Sequence, residues 1–256
     1  MTGLCGRLCR GRFTAPGVVA VLLLAASAAA DDVEVTLEAG VLGFSYNEAQ
    51  IPNSNAGDRF DVTTVAGDGP IVYGRLSIQR TFADRHIVRG VYAPVRIEGI
   101  GAFDEPVRFA GEEFDADDAI SGLYQFNTYR LTYRYRFVHN EDWSLGAGVT
   151  GLVRDANIRL VQGSTRAEDP NIGVVPLLHA NVQYRFNEHW GSEFDIDALA
   201  SPQGRAVDAI LMGTYQPRND MTWRLGYRTL EGGGDGSSVY SFAWLHFGML
   251  GVSYQF

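Results

Sequence analysis

Thr128-Tyr129-Arg130-Leu131-Thr132-Tyr133-Arg134-Tyr135-Arg136-Phe137 alternates without a break. Tyr129, Leu131, Tyr133, Tyr135 and Phe137 fall on one side; Thr128, Arg130, Thr132, Arg134 and Arg136 fall on the other. Successive side chains point to opposite faces only in an extended strand, so one face here is apolar and the other ionic. The same period continues outward from this stretch. Trp143, Leu145, Ala147, Val149 and Val153 oppose Ser144, Gly146, Gly148, Thr150 and Arg154. Leu178, Ala180, Val182, Tyr184 and Phe186 oppose His179, Asn181, Gln183 and Arg185. Phe194, Ile196 and Ala198 oppose Glu193, Asp195 and Asp197, and Trp223, Leu225 and Tyr227 oppose Arg224 and Arg228.

Ten such segments are expected, near 33–46, 70–82, 87–101, 120–137, 143–161, 173–186, 190–199, 206–216, 221–230 and 239–256. The links between them alternate in length. Ala83–His86, Val138–Asp142, Asn187–His189 and Pro217–Asp220 are tight and polar. Asn47–Gly69, Ala102–Ala119, Gln162–Ile172, Ser201–Arg205 and Glu231–Ser238 are the longer ones. Short turns on one rim and long loops on the other are the pattern of an antiparallel transmembrane β-barrel. About ten strands are expected, with eight or twelve if the first or second long link is read differently.

Alternation alone does not say which face is inside, because a soluble barrel turns its apolar residues inward. Three features tip the sidedness, the third being the terminal strand Gly251–Phe256. The polar face carries charges of both signs sorted by strand, so columns of Arg and carboxylate can pair across a shared lumen. The apolar face gathers Phe82, Tyr135, Phe137, Trp143, Tyr184, Phe186, Trp190, Tyr215 and Trp223 near the short turns, where an aromatic girdle meets the lipid–water boundary.

Composition narrows the function further. The net charge is −9 and every one of the 21 basic residues is Arg. An acidic chain without a basic patch or tail is a poor partner for nucleic acid. Residues 1–30 read as a cleaved signal peptide: Arg7, Arg10 and Arg12, then the apolar Val18–Ala26, then Ser27-Ala28-Ala29-Ala30. Cys5 and Cys9 fall in that leader, so the mature chain, a single barrel domain over 31–256, has no thiol and no disulfide. Past Asp31 no apolar run reaches the roughly twenty residues of a spanning helix, which leaves a closed barrel as the way to cross a membrane.

The chain closes on Gly251-Val252-Ser253-Tyr254-Gln255-Phe256. Leu250, Val252, Tyr254 and Phe256 resemble the C-terminal assembly signal of Gram-negative outer-membrane barrels, and the whole mature chain resembles the small OmpA-like and lipid A deacylase-like barrels in architecture. That resemblance implies residence in the cell outer membrane, insertion by the outer-membrane assembly machinery, and contact with outer-membrane lipid and lipopolysaccharide. The partner of the outward loops stays open.

The largest constellation is a lumen charge network of Glu34, Glu38, Arg75, Arg96, Glu98, Arg130, Arg134, Arg136, Arg154, His179, Arg185, Glu193, Asp195, Asp197, Asp208, Arg224 and Arg228. Charged walls can set the selectivity of a pore. In a barrel this narrow, side chains fill the interior, and interlocked ion pairs are the expected arrangement. No catalytic, cofactor-binding or metal site is assigned. His246 can be matched on paper with Ser241, Ser253 or Asp235, but no recognisable catalytic spacing surrounds it. The carboxylates between Glu105 and Asp118 lack EF-hand spacing and read as solvated charge. Glu231-Gly232-Gly233-Gly234-Asp235-Gly236 is expected to be a flexible hairpin loop, since a phosphate-cradling loop needs a Lys and a following helix. The function expected is non-enzymatic: a barrel with a charged, largely filled interior in a structural or surface-interaction role. An outer-membrane enzyme acting on lipid A or peptides, a narrow small-solute channel and a soluble periplasmic barrel binding an apolar ligand are the alternatives.

Overall fold

The computed structural model describes residues 33–256; the expected leader over 1–30, with both cysteines, lies outside the described residues. The strands in chain order are β1 (Val33–Gln50), β2 (Phe60–Asp61), β3 (Ile71–Phe82), β4 (His86–Ala93), β5 (Arg96–Gly101), β6 (Val107–Phe109) and β7 (Glu112–Phe114). They continue as β8 (Ile120–His139), β9 (Trp143–Gln162), β10 (Thr165–Arg185), β11 (Trp190–Ser201), β12 (Gly204–Arg218), β13 (Met221–Asp235) and β14 (Tyr240–Gln255), with one short helix, α1 (Thr63–Ala66). Each long strand pairs antiparallel with its neighbour in sequence, and β14 returns to β1, with Val35 opposite Tyr254 and Leu37 opposite Val252. β4 and β5 both pair with β8 and act as one interrupted strand. The result is a closed ten-stranded antiparallel barrel.

Four connections are tight, and the rim they form also carries both ends of the barrel, since the Phe256 N–H donates to the Val33 carbonyl at 2.9 Å. The opposite rim differs from expectation. Gln162–Ile172, Ser201–Arg205 and Glu231–Ser238 are not loops; the strands run on through them to Gln162 opposite Thr165, Ser201 opposite Gly204 and Asp235 opposite Tyr240. The strands β9 and β10, of 20 and 21 residues, are about twice as long as a tilted strand needs to cross a bilayer. Beyond the lipid band both faces can be polar, so alternation fades although pairing continues. The glycine run follows the same logic. Gly232 and Gly233 lie in β13, paired on both sides, and a Cβ on Gly233 would fall 2.0 Å from the Ser241 carbonyl oxygen.

The outward face is apolar. Leu37, Val41, Leu131, Val149, Leu178, Leu211, Leu225 and Leu250 are each more than half exposed, against 3% for Arg134 and 5% for Asp195. A girdle of Phe82, Tyr135, Phe137, Trp143, Phe186, Trp190, Tyr215, Trp223 and Tyr254 rings the short-turn end, and Tyr92, Tyr129, Tyr227 and Trp244 mark an upper level. Exposed apolar surface this extensive is out of place in water and is matched by hydrocarbon, so the barrel is a membrane-spanning one.

Candidate functional site: a charged plug beneath an apolar lid

The interior is built in three tiers. At the short-turn rim lies an open polar vestibule of about 670 Å³, walled by Glu34, Asp84, Arg136, His139, Arg185 and Glu188 among others. Its floor is Arg224, which binds the Glu193 carboxylate, stands 3.5 Å from Glu34, and donates from Nε to Ser253 at 2.7 Å. A gap of about 30 Å³ continues from there between Glu38, Arg75, Arg89 and Asp195, space for about one water molecule.

Above the floor the charges interlock. Arg75 pairs with Glu38 at 2.5 Å. Arg89 grips Asp195 with two parallel hydrogen bonds of 2.9 Å each, and Arg134 stands 3.8 Å from the same carboxylate. Arg130 bridges Asp197 at 2.8 Å and Asp208 at 2.5 Å, and Arg228 holds Asp208 by a second fork at 2.7 and 2.8 Å. His179 Nδ1 lies 2.9 Å from Asp197, which also accepts from Thr150 at 2.7 Å. Asn181 donates to Glu193 and Asp195. Six arginines (75, 89, 130, 134, 224, 228) thus meet six carboxylates (34, 38, 193, 195, 197, 208). The plug is neutral by pairing. Paired charges are the form in which a narrow, water-poor lumen tolerates ions, since each unpaired one would cost several kcal/mol.

Arg228 marks the upper boundary of the plug. Its guanidinium packs 4.6 Å from the Phe247 ring centre and binds the Tyr73 hydroxyl. From there the inward side chains turn apolar: Leu42, Tyr73, Leu245 and Phe247 are at most 2% exposed. The two long outward links close the top. Val62, Val65 and Ala66, at and within α1, are buried against β5 and β8. The room for that helix comes from inward glycines: a Cβ on Gly101 would fall 1.9 Å from the Thr64 carbonyl oxygen, and one on Gly122 within 2.8 Å of Val65. The β6–β7 hairpin turns Val107, Phe109 and Phe114 inward and leaves Glu112 and Glu113 in solvent. Phe60 packs edge-on to Phe103 and Phe109 at 5.2 and 5.5 Å, and Arg108 clamps Asp58 across the two links at 2.7 Å.

Three of the expected network positions need correction or relocation. Arg96 and Glu98 do not face the lumen. They pair with each other at 2.5 Å on the outer wall, about half exposed, with Arg159 3.1 Å from Glu98. The inward set of this interrupted strand is Ile87, Arg89, Val91, Ala93, Val95 and Ile97. Arg154 points inward but into the upper, apolar tier, where it donates to Asn171 at 3.2 Å and has no carboxylate partner among the described residues. Arg136 and Arg185 line the vestibule, Arg185 exposed. Arg89 was hidden from sequence reasoning because its neighbours in phase are apolar. At the C-terminus, Leu250, Tyr254 and Phe256 are exposed on the outer wall at 54%, 43% and 57%, and Val252 is half-buried beside them.

No protein-family model matches the chain, and no curated protein does. Among solved structures the chain is similar to several bacterial barrels. The attachment invasion locus protein Ail of Yersinia pestis, solved with a heparin analogue, is 12% identical, covers 88% of this chain and 99% of its own, and gives a TM-score of 0.37. The toluene transporter TodX of Pseudomonas putida is 12% identical over 89% of this chain and 90% of its own, with a TM-score of 0.34. The translocator domain of the autotransporter NalP from Neisseria meningitidis is 9% identical over 93% of each, with a TM-score of 0.43. Likeness at this level transfers no site and no activity.

Proposed function

We propose that this protein is an outer-membrane barrel whose lumen is sealed from both sides and whose role, structural or in surface interaction, is carried by its outward rim. The observation behind this reading is the succession of two unlike seals: a neutral ion-pair plug, then an apolar core covered by α1 and the β6–β7 hairpin. Ions that pass such a barrel would need to break paired charges and then cross hydrocarbon-like packing, and both steps are costly. This disfavours a small-solute channel. The lipid-facing belt, the lower girdle beside the short turns and the terminal Tyr254 and Phe256 support insertion from the periplasm by the assembly machinery, with the elongated hairpins outward among lipopolysaccharide. Cell fractionation with gel migration before and after heating tests the address. A heat-shifted band in outer-membrane fractions is expected, and a soluble periplasmic product would overturn the reading. Planar bilayers should stay silent across voltage; steady unitary conductance would overturn the sealed lumen.

A further inference from the structure

His246 carries the one hydrogen-bonded serine–histidine pair among the described residues. Its Nε2 lies 2.7 Å from Ser45 Oγ, and its Nδ1 binds the Tyr227 hydroxyl. None of the partners considered from sequence, Ser241, Ser253 or Asp235, is the one it meets. The pairing was illegible because Ser45 is 201 positions away and becomes a neighbour only when β14 closes on β1. Ser45 is also displaced from the ladder. The register steps from Phe44 opposite Leu245 to Tyr46 opposite Trp244, leaving Ser45 as a bulge with no partner on β14. Bulges re-aim a side chain at the cost of local pairing and recur beside active sites.

The position of this trio decides what it can meet. His246 is ten residues from Phe256 along β14, and at ~3.3 Å per residue with a tilt of about 40° that is a rise of about 25 Å, the height of the apolar band. The trio therefore sits at the upper girdle, where Trp244 packs 4.9 Å from the His246 ring and Tyr227 is 47% exposed. At that depth, the groups within reach are the ester linkages between acyl chains and the headgroups of the outer leaflet.

We infer that Ser45 and His246 form an acyl-ester hydrolase site on the outer wall, with Tyr227 as the positioning residue. His246 Nε2 accepts the Ser45 hydroxyl proton as Oγ attacks the ester carbonyl carbon, while Nδ1–H donates to the Tyr227 oxygen and fixes that tautomer. Collapse of the tetrahedral adduct breaks the carbonyl-carbon–alkoxy bond; the alcohol leaves with the proton from His246, and the acyl group stays on Ser45. Water then attacks the acyl carbon, gives its proton to His246 and frees the fatty acid as Ser45 Oγ regains a proton. The balance is ester plus water to acid plus alcohol. Trp244 and Tyr227 supply the apolar platform for the chain. The inference rests on the proposed outward orientation of this rim, which fractionation tests separately.

The experiment uses the purified full-length barrel reconstituted in two sets of vesicles, one of phosphatidylethanolamine alone and one containing lipopolysaccharide, with released fatty acid measured by mass spectrometry. Release from one set identifies the lipid source; release from both identifies a general ester site. Ser45→Ala and His246→Asn should each lower release at least about 100-fold, the scale of losing a nucleophile or general base, while heat-shifted migration shows that the variants remain folded. Tyr227→Phe should lower kcat with little change in KM and move the acidic limb of the pH–rate profile, which a purely structural hydroxyl would leave in place. A folded barrel that releases no fatty acid from either vesicle overturns the site and leaves the sealed-barrel reading standing. Release unchanged in Ser45→Ala overturns it equally.

Discussion

Arg228 and Asp208 form the tightest fork in the lumen: Nε to Oδ1 at 2.7 Å and Nη2 to Oδ2 at 2.8 Å, with the arginine 1% and the aspartate 4% exposed. Arg130 reaches the same carboxylate from β8, on the far side of the lumen. The fork therefore ties β12 and β13 to each other and to the opposite wall. Removing Asp208 would strand the buried Arg228 guanidinium and leave Arg130 with Asp197 alone. Asp208→Ala should destabilise the folded barrel by about 3–5 kcal/mol, read as a lower midpoint in urea for loss of the heat-shifted form. Arg228→Met with Asp208→Leu should recover much of that loss, because replacing a buried pair by apolar groups of similar volume is often neutral. A double variant no better than Asp208→Ala would contradict this account.

Much of the architecture was legible because lipid imposes a strict rule on the band it touches. Tyr129, Leu131, Tyr133 and Tyr135 share one apolar face, which the structure turns outward, so the phase of β8 is readable from the sequence. Where lipid ends the rule lapses. Glu168, Asp169 and Asn171 continue β10 with polar groups on both faces, and Gly232–Gly234 continue β13 without side chains. The interior misled in the opposite way. Arg96 and Glu98 were placed inside because charge was taken to mean lumen, yet the upper lumen is apolar and Ile97 occupies it at 7% exposure. Arg89, in phase with Ile87 and Val91, is the residue that reaches Asp195. Contacts set by closure, Arg224 with Glu34 and Ser45 with His246, span most of the chain and leave no local pattern.

The seating of α1 depends on glycine. With the Thr64 carbonyl where a Cβ of Gly101 would stand, Gly101→Val requires the helix to leave its pocket. Overpacking of this kind costs about 1–3 kcal/mol, and it should fall on the lid rather than on the sheet. Protease cleavage between residues 51 and 70 should rise several-fold while the heat-shifted band persists. Equal protection of this segment in both proteins would show that α1 does not seal the barrel.

The clamp between the two outward links has a defined acid limit. Arg108 holds the Asp58 carboxyl down to about 2 by charged hydrogen bonds from its side chain and backbone. A carboxylate depressed below its unfolded value stabilises the fold above that value, near 3.9, and loses the contribution as pH falls through the folded one. Protection of the Asp58–Arg108 backbone pair, relative to the intrinsic exchange rate at each pH, should therefore be constant from pH 7 to about 4 and fall only below it. Arg108→Gln should raise exchange already at neutral pH, and a wild-type transition near pH 6 would assign the clamp to another group.

On the assembly role proposed above, the final residue would serve closure more than stability of the finished wall. Phe256 is 57% exposed on the lipid side, packs edge-on to Tyr254 at 4.9 Å, and its backbone N–H completes the seam at Val33. Its ring therefore buries little against protein, and the seam bond is repeated along the remaining β1–β14 register. Deleting Phe256 should leave the melting of any assembled barrel nearly unchanged but reduce the amount assembled, if the terminal aromatic acts as the proposed assembly signal. His246→Ala, on the same outer wall but away from the end, should assemble at the wild-type level. Pulse-labelled cells separate the two: accumulation of unassembled, protease-sensitive chain is expected for the deletion alone. Equal accumulation of folded barrel in both variants would remove the terminal phenylalanine from the assembly step.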